Sequence, residues 1–488
     1  MKTAIILAVL LGLSFTPMAA ADPGDTLWTR TYGGSGVDGG YSVQQTSDGG
    51  YIIAGYTDSF GAGLQDFYLV KTDSSGDTLW TRTYGGSDHD WARSVQQTSD
   101  GGYIIAGYTG SFGAGGNDFY LVKTDSSGDT LWTRTYGGSD HDQGLSVQQT
   151  SDGGYVIGGM TESFGAGDWD VYLVKTDSSG DTLWTRNYGG SSEDHGYSVQ
   201  QTSDGGYIIA GLTGSFGAGE FDVYLVKTNS SGDILWARVY GGSDSDYGVS
   251  VQQTFDGGYI VAGETRSFGA GYDDVYLVRS GPSGDTLWTR TYGGIDYDHG
   301  RSVQQTSDGG YIVAGQTRSF GAGNYNVWLL KTDSSGDTLW TRTYGGSGSD
   351  WGWSVQQTSD GGYIIAGGTS SFGAGGADVY LIKTVGEVVA VDGPESEIPV
   401  PAFASLSQCY PNPFNASTVI EYGLPQTSEV KLEVHNLLGE KVATLVHEKQ
   451  EAGYKSITWE ASEVSSGVYF YKLTAGDFSE SRRMMLVK

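Results

Sequence analysis

Cysteine is all but missing from this chain: Cys409 is the only one in 488 residues. No intrachain disulfide can form, so packing and hydrogen bonds must hold the fold together. Basic residues are scarce too, with 27 Lys and Arg against 57 Asp and Glu, for a formal charge of −30 and a pI near 4.3. That balance argues against a nucleic-acid partner, which needs a basic footprint, and against binding to anionic lipid. After the N-terminal stretch no apolar run is long enough to span a bilayer, and no segment carries a helical hydrophobic period. A Gly-x-Ser-x-Gly elbow, a zinc-protease helix and a phosphate loop are all absent from the sequence.

What is present is repetition. Trp28, Trp80, Trp132, Trp184, Trp236, Trp288 and Trp340 follow one another at intervals of 52 residues. A fixed period of this size marks an array of one supersecondary unit. In the first copy Asp25–Tyr32 reads as a strand ended by Gly33-Gly34, and Ser42–Thr46 as a second strand. Ser47-Asp48-Gly49-Gly50 is a tight hairpin turn, because Asp-Gly and Gly-Gly supply the positive φ such turns need. Tyr51–Gly55 is the most apolar strand and belongs deep in a sheet, Ser59–Gly63 is a loop, and Phe67–Lys71 is the fourth strand. Four short antiparallel strands per copy describe a propeller blade, and seven copies suit a closed ring; an open β-solenoid, with shorter rungs and parallel strands, is the alternative. The turn Asp73-Ser74-Ser75-Gly76 ahead of the Trp80 strand resembles the quinoprotein-like and WD-like propeller superfamily, a resemblance of architecture alone. The copies run out of phase with the blades. The Trp28 strand is therefore expected to complete the blade formed by about Ser354 to Lys383, closing the ring and hiding sheet edges.

Turns two-three and four-one scarcely vary, whereas loops one-two and three-four, on the opposite face, vary strongly. After the invariant Asp38, Asp90, Asp142, Asp194, Asp246, Asp298 and Asp350 come Gly39, Trp91, Gln143, His195, Tyr247, His299 and Trp351. Two positions later stand Tyr41, Arg93, Leu145, Tyr197, Val249, Arg301 and Trp353. The three-four loop varies as well, with Asp168-Trp169 and Tyr272-Asp273 among its pairs. A constant frame under an aromatic-rich variable surface is the arrangement expected of a binding face, since aromatics give contact area at low entropy cost. Duplication followed by drift would also alter loops most, but it does not predict enrichment in Trp, Tyr and His.

No constellation stands out as catalytic or metal-binding. His89, His141, His195 and His299 sit one per loop, on separate blades, whereas a transition-metal site needs converging ligands. The invariant loop aspartates could take calcium, but accepting hydrogen bonds from loop amides explains them as well. The Arg30-type arginines and Lys71-type lysines read as edge-facing or paired with aspartates. No blade carries an insertion, and a propeller enzyme would need to break its symmetry to build one asymmetric site. No cofactor is expected, and calcium is left open.

The two ends differ from the repeats. Met1-Lys2-Thr3, the apolar Ala4–Phe15 and Ala19-Ala20-Ala21 are expected to be an export signal over 1–21. The propeller is assigned to 22–384 and an acidic, proline-bearing linker to 385–401. From 402 to 488 alternating strands at Val419–Tyr422, Val430–Val434, Lys455–Trp459 and Val468–Leu473 suit a small immunoglobulin-like sandwich. Tyr410-Pro411-Asn412-Pro413-Phe414-Asn415, Asn436-Leu437-Leu438-Gly439-Glu440-Lys441-Val442, Ser466-Gly467-Val468-Tyr469-Phe470-Tyr471 and the tail Met484–Lys488 resemble the type IX secretion C-terminal sorting domain. The resemblance spans about Leu406 to Lys488. It implies passage across the outer membrane of a Gram-negative bacterium, followed by attachment to the cell surface or release, with the secretion machinery as partner. Cys409 departs from the family, which more often has asparagine before Tyr-Pro-Asn-Pro.

The reading is an all-β protein: a seven-bladed propeller delivered to the surface or the medium by a sorting domain, without a transmembrane span in the mature chain. Its expected role is non-catalytic adhesion or capture of extracellular polysaccharide or protein. Trp91, Trp169, Tyr247, Trp351 and Trp353 are the expected stacking platforms, with Arg93 and Arg301 as charged contacts. An enzyme acting on extracellular polysaccharide and a purely structural surface component are the alternatives.

Overall fold

The computed structural model describes residues 22–386 and, between 401 and 487, all but 402, 403, 408, 410, 411, 413, 415, 416, 462, 463 and 477. The expected export signal and most of the linker lie outside the described residues. The first copy supplies β1 (Thr26–Tyr32), β2 (Asp38–Gln45), β3 (Tyr51–Thr57) and β4 (Asp66–Thr72), and the second opens with β5 (Thr78–Tyr84). The sheet they form has the order β2-β3-β4-β5, so each blade borrows its outer strand from the next copy. At the end of the array Asp350–Gln357, Tyr363–Thr369 and Asp378–Thr384 have no following copy, and β1 pairs with the last of them, Thr29 opposite Ile382 and Arg30 opposite Leu381. Seven antiparallel four-stranded sheets thereby close into a seven-bladed β-propeller.

The hydrophobic core lies between blades rather than within them. Seven clusters recur among the described propeller residues, each joining two neighbours; one combines Tyr51, Ile53, Tyr68 and Val70 with Ile364, Ala366, Val379 and Leu381 across the closure. β3 and β4 are buried almost throughout because their two faces meet different neighbours. At the perimeter Trp28 meets Tyr51 of the adjacent blade edge-on at 5.9 Å and lies under the Arg30 guanidinium. A Cβ on Gly76 would come within 2.7 Å of the same indole, which, with its φ of +79°, fixes glycine at this corner.

Polar groups repeat the same inter-blade logic around the axis. The Gln44 side-chain oxygen accepts a hydrogen bond from the backbone N–H of Gln97 in the next blade at 2.6 Å, and six equivalent bonds continue round to Gln356, which accepts from Gln45. A second closed ring runs through the serine hydroxyls, where Ser42 accepts from the Val95 N–H and Ser354 from the Val43 N–H. Val43, Gln44 and their six counterparts line a central cavity of about 260 Å³.

The constant turn is explained by a buried cation. The Lys71 ammonium, only 4% exposed, donates to Asp48 across the hairpin and to the Thr72 carbonyl. Asp48 also accepts from the Thr46 hydroxyl and the Gly50 N–H. The Lys71-type lysines are thus paired with aspartates, as one of the two expectations had it, but they are buried rather than edge-facing. The Arg30-type arginines pair with Asp77-type aspartates at the exposed perimeter.

The C-terminal unit is a β-sandwich. One sheet orders Ser405–Leu406, Ser417–Leu424 and Gly453–Glu460, and the other Lys441–Gln450, Ser428–Asn436, Gly467–Ala475 and Phe478–Leu486. Ile420, Leu432, Trp459, Tyr471, Leu473 and Met484 fill the space between them, and Cys409 is buried there with its N–H bonded to the Tyr471 hydroxyl. Lys441–Gln450 and Phe478–Leu486 were not among the expected strands.

The clamps on the constant turns should make the propeller acid-labile. Burial alone would raise the Asp48 carboxyl, but its hydrogen bonds from Thr46, Lys71 and Gly50 and the Lys71 charge outweigh burial and hold it below the ordinary value of 3.8. Asp100, Asp152, Asp204, Asp308 and Asp360 are lowered in the same way, and Asp256 is lowered with Arg279 in place of the lysine. Groups depressed on folding contribute stability above their unfolded pKa, and that contribution is lost as the pH falls through the folded one. Asp66, Asp118 and Asp274 are raised by burial and act in the opposite sense, but they are three against seven. The Tm should therefore hold from pH 7 to about 5 and fall steeply below about 4. Asp100→Asn should lower the Tm at pH 7 and flatten the acid limb; a Tm that holds down to pH 3 would remove the clamps as a source of stability.

Candidate binding face at the mouth of the central channel

The inner strand of every blade carries the same irregularity, and it selects the variable residues. In β2 the ladder passes from Gly40–Gly55 to Ser42–Ala54, leaving Tyr41 as the extra residue of a β-bulge. The corresponding bulges leave out Arg93, Leu145, Tyr197, Val249, Arg301 and Trp353. A bulge re-aims a side chain and frees it from the ladder. Because the inner strands line the axis, these seven side chains belong to the rim of the channel on the side of loops one-two and three-four.

The other variable positions are cross-strand partners. Gly39 faces Tyr56, Trp91 faces Tyr108, and Trp351 faces Gly368. Two of the pairs set a glycine against a ring: a Cβ on Gly39 would lie 2.7 Å from the Tyr56 ring, and one on Gly368 would lie 3.3 Å from Trp351. In these two blades the residue at one position constrains its partner, whereas Trp91 and Tyr108 are both large and stack at 5.9 Å.

Bulge residues of four consecutive blades touch in series. The Arg301 guanidinium lies 5.1 Å from the Trp353 ring, Trp353 meets Tyr41 edge-on at 5.2 Å, and Arg93 sits 4.1 Å above Tyr41. Arg93 also covers Trp91 at 5.0 Å and donates to the Tyr108 hydroxyl at 3.2 Å. Trp91 stacks on Tyr56 at 4.8 Å with 10° between planes and donates its indole N–H to Gln65 at 2.6 Å. Four of the seven expected contact residues, Trp91, Arg93, Arg301 and Trp353, are brought into one cluster. Trp351 lies over Gly368, Trp169 meets His195 edge-on at 5.9 Å, and Tyr247 packs 6.0 Å from Phe221. None of the seven is fully exposed. They are half-buried members of an aromatic rim rather than isolated platforms.

Three variable-face tyrosines outside the seven expected contacts join the cluster. Tyr41, Tyr56 and Tyr108 supply as much of the cluster as the tryptophans do. The exposed Tyr272 stacks on Tyr297 at 4.9 Å, a pair formed by residues of neighbouring loops. Glu264, Asp273 and His299, from adjacent blades, place one ligand atom each within 4.8 Å of one another, so loops that carry a single histidine each do converge with acids from the neighbouring blade. Arginines already occupy both carboxylates: Arg301 lies 3.3 Å from Glu264, and Arg266 bonds Asp273 at 2.6 Å. His299 Nε2 lies 3.3 Å from Asp273, and its Nδ1 faces Gln316 and Arg301. The invariant Asp38 accepts from the Gly34 N–H and the Ser59 hydroxyl on Oδ2, while Oδ1 is buried without a hydrogen-bond partner among the described residues.

Burial shifts two rim groups, His195 and Tyr197. It pushes His195 down to about 4 against the opposing Asp194 charge, and it raises the Tyr197 phenol, with Glu264 adding and Arg301 opposing.

Comparison with known proteins identifies the C-terminal unit. Residues 408–488 match the secretion system C-terminal sorting domain. They are a type IX sorting domain. The chain is accordingly exported by type IX secretion to the cell surface or outer membrane. The regulatory protein FlaEY of Caulobacter vibrioides is 25% identical over 405 positions, covering 75% of this chain but only 40% of that protein's length. Among solved structures, PorZ, described as an essential bacterial surface component of the type IX secretion system of Porphyromonas gingivalis, aligns at 13% identity and TM-score 0.40, over 97% of this chain and 61% of its own. A protein of unknown function from Dyadobacter fermentans aligns at 12% and 0.37, over 73% of this chain and 99% of its own. A puromycin hydrolase aligns at 12% and 0.42, over 79% and 58%.

His195 should stay neutral at every physiological pH. Its ring carbon shift, followed by NMR in the intact protein, is expected not to move between pH 8 and 5; a midpoint near its ordinary 6.5 would mean that the rim is far more open to water than its packing indicates.

Proposed function

We propose that this exported protein is a non-catalytic binding or adhesion module that captures an extracellular polysaccharide or protein at the loop-side mouth of its channel. The observation that carries the reading is the contact series Arg301–Trp353–Tyr41–Arg93, in which the side chain freed by the bulge differs from blade to blade while the strands beneath stay the same. Half-buried aromatics beside guanidinium groups are the composition of binding hot spots, and rings of this kind stack on sugars or planar side chains. The sorting domain supports the setting, since it delivers the propeller to where such ligands are met. An enzymatic role draws less support. The carboxylates that burial raises, Asp66, Asp118 and Asp274, are held by loop amides inside the blades, and the acids nearest the rim are tied to arginines.

The test is an array of extracellular polysaccharides and proteins probed with the mature protein and with a Trp91→Ala/Trp353→Ala variant. Saturable binding weakened about tenfold or more in the variant is the expected outcome. Binding that survives unchanged would move the site elsewhere, and no binding to any probe would favour a structural role.

A further inference from the structure

Between residues 22 and 386 the chain has twelve arginines and six lysines. Every lysine has an aspartate within 4.0 Å. Eleven of the arginines also have a carboxylate in that range. Arg93 is the exception: among the described residues no carboxylate pairs with it, in a chain that carries a formal charge of −30. Its guanidinium is caged by the rings of Tyr41, Trp91 and Tyr108 at 4.1, 5.0 and 5.5 Å. Of its donors only Nη2 is engaged, by the Tyr108 hydroxyl, and Nε is buried without a partner. Cation–π contact fixes the position of such a group but satisfies none of its N–H donors. The contrast with Arg301, which holds a similar place on the rim but is bound to Glu264, shows that the fold can neutralise a rim arginine when a carboxylate is supplied.

Resting on the binding reading above, we propose that Arg93 receives the carboxylate of an acidic saccharide, so that the ligand is a uronate-containing polysaccharide rather than a neutral one. In a uronic acid the carboxylate is one bond from the pyranose ring, so one sugar unit can lie against an aromatic ring while its carboxylate meets a guanidinium beside that ring. Arg93 and the Tyr56–Trp91 stack present both at the distances given, with the phenols of Tyr41 and Tyr56 as partners for sugar hydroxyls. A planar guanidinium is also the side chain best matched to a carboxylate. The protein's overall negative charge does not forbid this, because charges beyond about 8–10 Å are largely screened at physiological salt.

The experiment titrates the mature protein with galacturonate, glucuronate and mannuronate oligosaccharides, their methyl esters, neutral gluco-oligosaccharides and an oligoglutamate peptide. At least one uronate is expected to bind about tenfold or more tightly than its own methyl ester, with an affinity that falls as salt rises. Arg93→Gln should abolish that preference while leaving the weaker binding of the ester in place, and Arg93→Lys should restore part of it; both variants are first checked for an unchanged thermal transition. Equal binding of acid and ester, or a preference that survives Arg93→Gln, overturns the proposal while leaving saccharide capture intact. Binding of oligoglutamate alone overturns it in favour of an acidic protein ligand. No binding by any probe overturns this proposal together with the capture reading on which it rests.

Discussion

Each blade of this propeller depends on its neighbours because its core is shared with them. The seven apolar clusters lie between sheets, so a blade taken alone would expose both faces. The rings of Gln44-type amides and Ser42-type hydroxyls make the same demand of the backbone, since each inner strand has N–H groups whose acceptors stand on the adjacent blade. Without a disulfide, that dependence can be satisfied everywhere only if the ring closes. The pairing of β1 with Asp378–Thr384 is therefore a condition of the fold rather than an ornament of its ends.

The same constraint divides the residues that stay constant from those that change. Ser42, Gln44, Asp48 and Lys71 and their repeats, with Arg279 standing for lysine in one blade, reach across a blade boundary or hold a turn, and losing any of these groups leaves a hydrogen bond or a buried charge unpaired, which is costly; Trp28 packs across a blade boundary instead. Tyr41 and its counterparts are released from the ladder by the bulge, and their neighbours at Gly39 and Tyr56 compensate each other in size. Change concentrates where it disturbs no shared contact, and those positions lie together at one end of the channel.

Much of this was legible in the sequence. The 52-residue period, the Asp-Gly-Gly turns and the phase of Trp28 were enough to derive the blades and their closure, because turn chemistry and strand alternation are local. Four of the seven residues expected from loop variability to make contacts, Trp91, Arg93, Arg301 and Trp353, meet in space. The bulge was not legible, since Tyr41-Ser42-Val43 reads as an uninterrupted strand and only the pairing with Ala54 reveals the extra residue. Nor was the convergence of Asp273 with His299, because each loop reads as solitary until adjacent blades are placed side by side. In the sorting domain Lys441–Gln450 was missed because it is polar on one face and largely exposed, and pairing with Ser428–Asn436 rather than burial defines it.

Seven nearly identical blades would by themselves make a rim with sevenfold symmetry, and a ligand without that symmetry would find no preferred seat on it. The bulge residues remove the symmetry at little structural cost. Aromatic and cationic side chains run from Arg301 through Trp353 and Tyr41 to Arg93 and Trp91, while the following blade presents Gln143 and Leu145 with Met160 behind them. The series therefore has a charged, unneutralised end at Arg93 and a neutralised one at Arg301, and so a direction. A chain-like ligand lying along it would be held in one orientation. Because the scaffold beneath is the same in every blade, that orientation could be altered by substitution at the bulge alone, without disturbing the contacts that hold the ring closed.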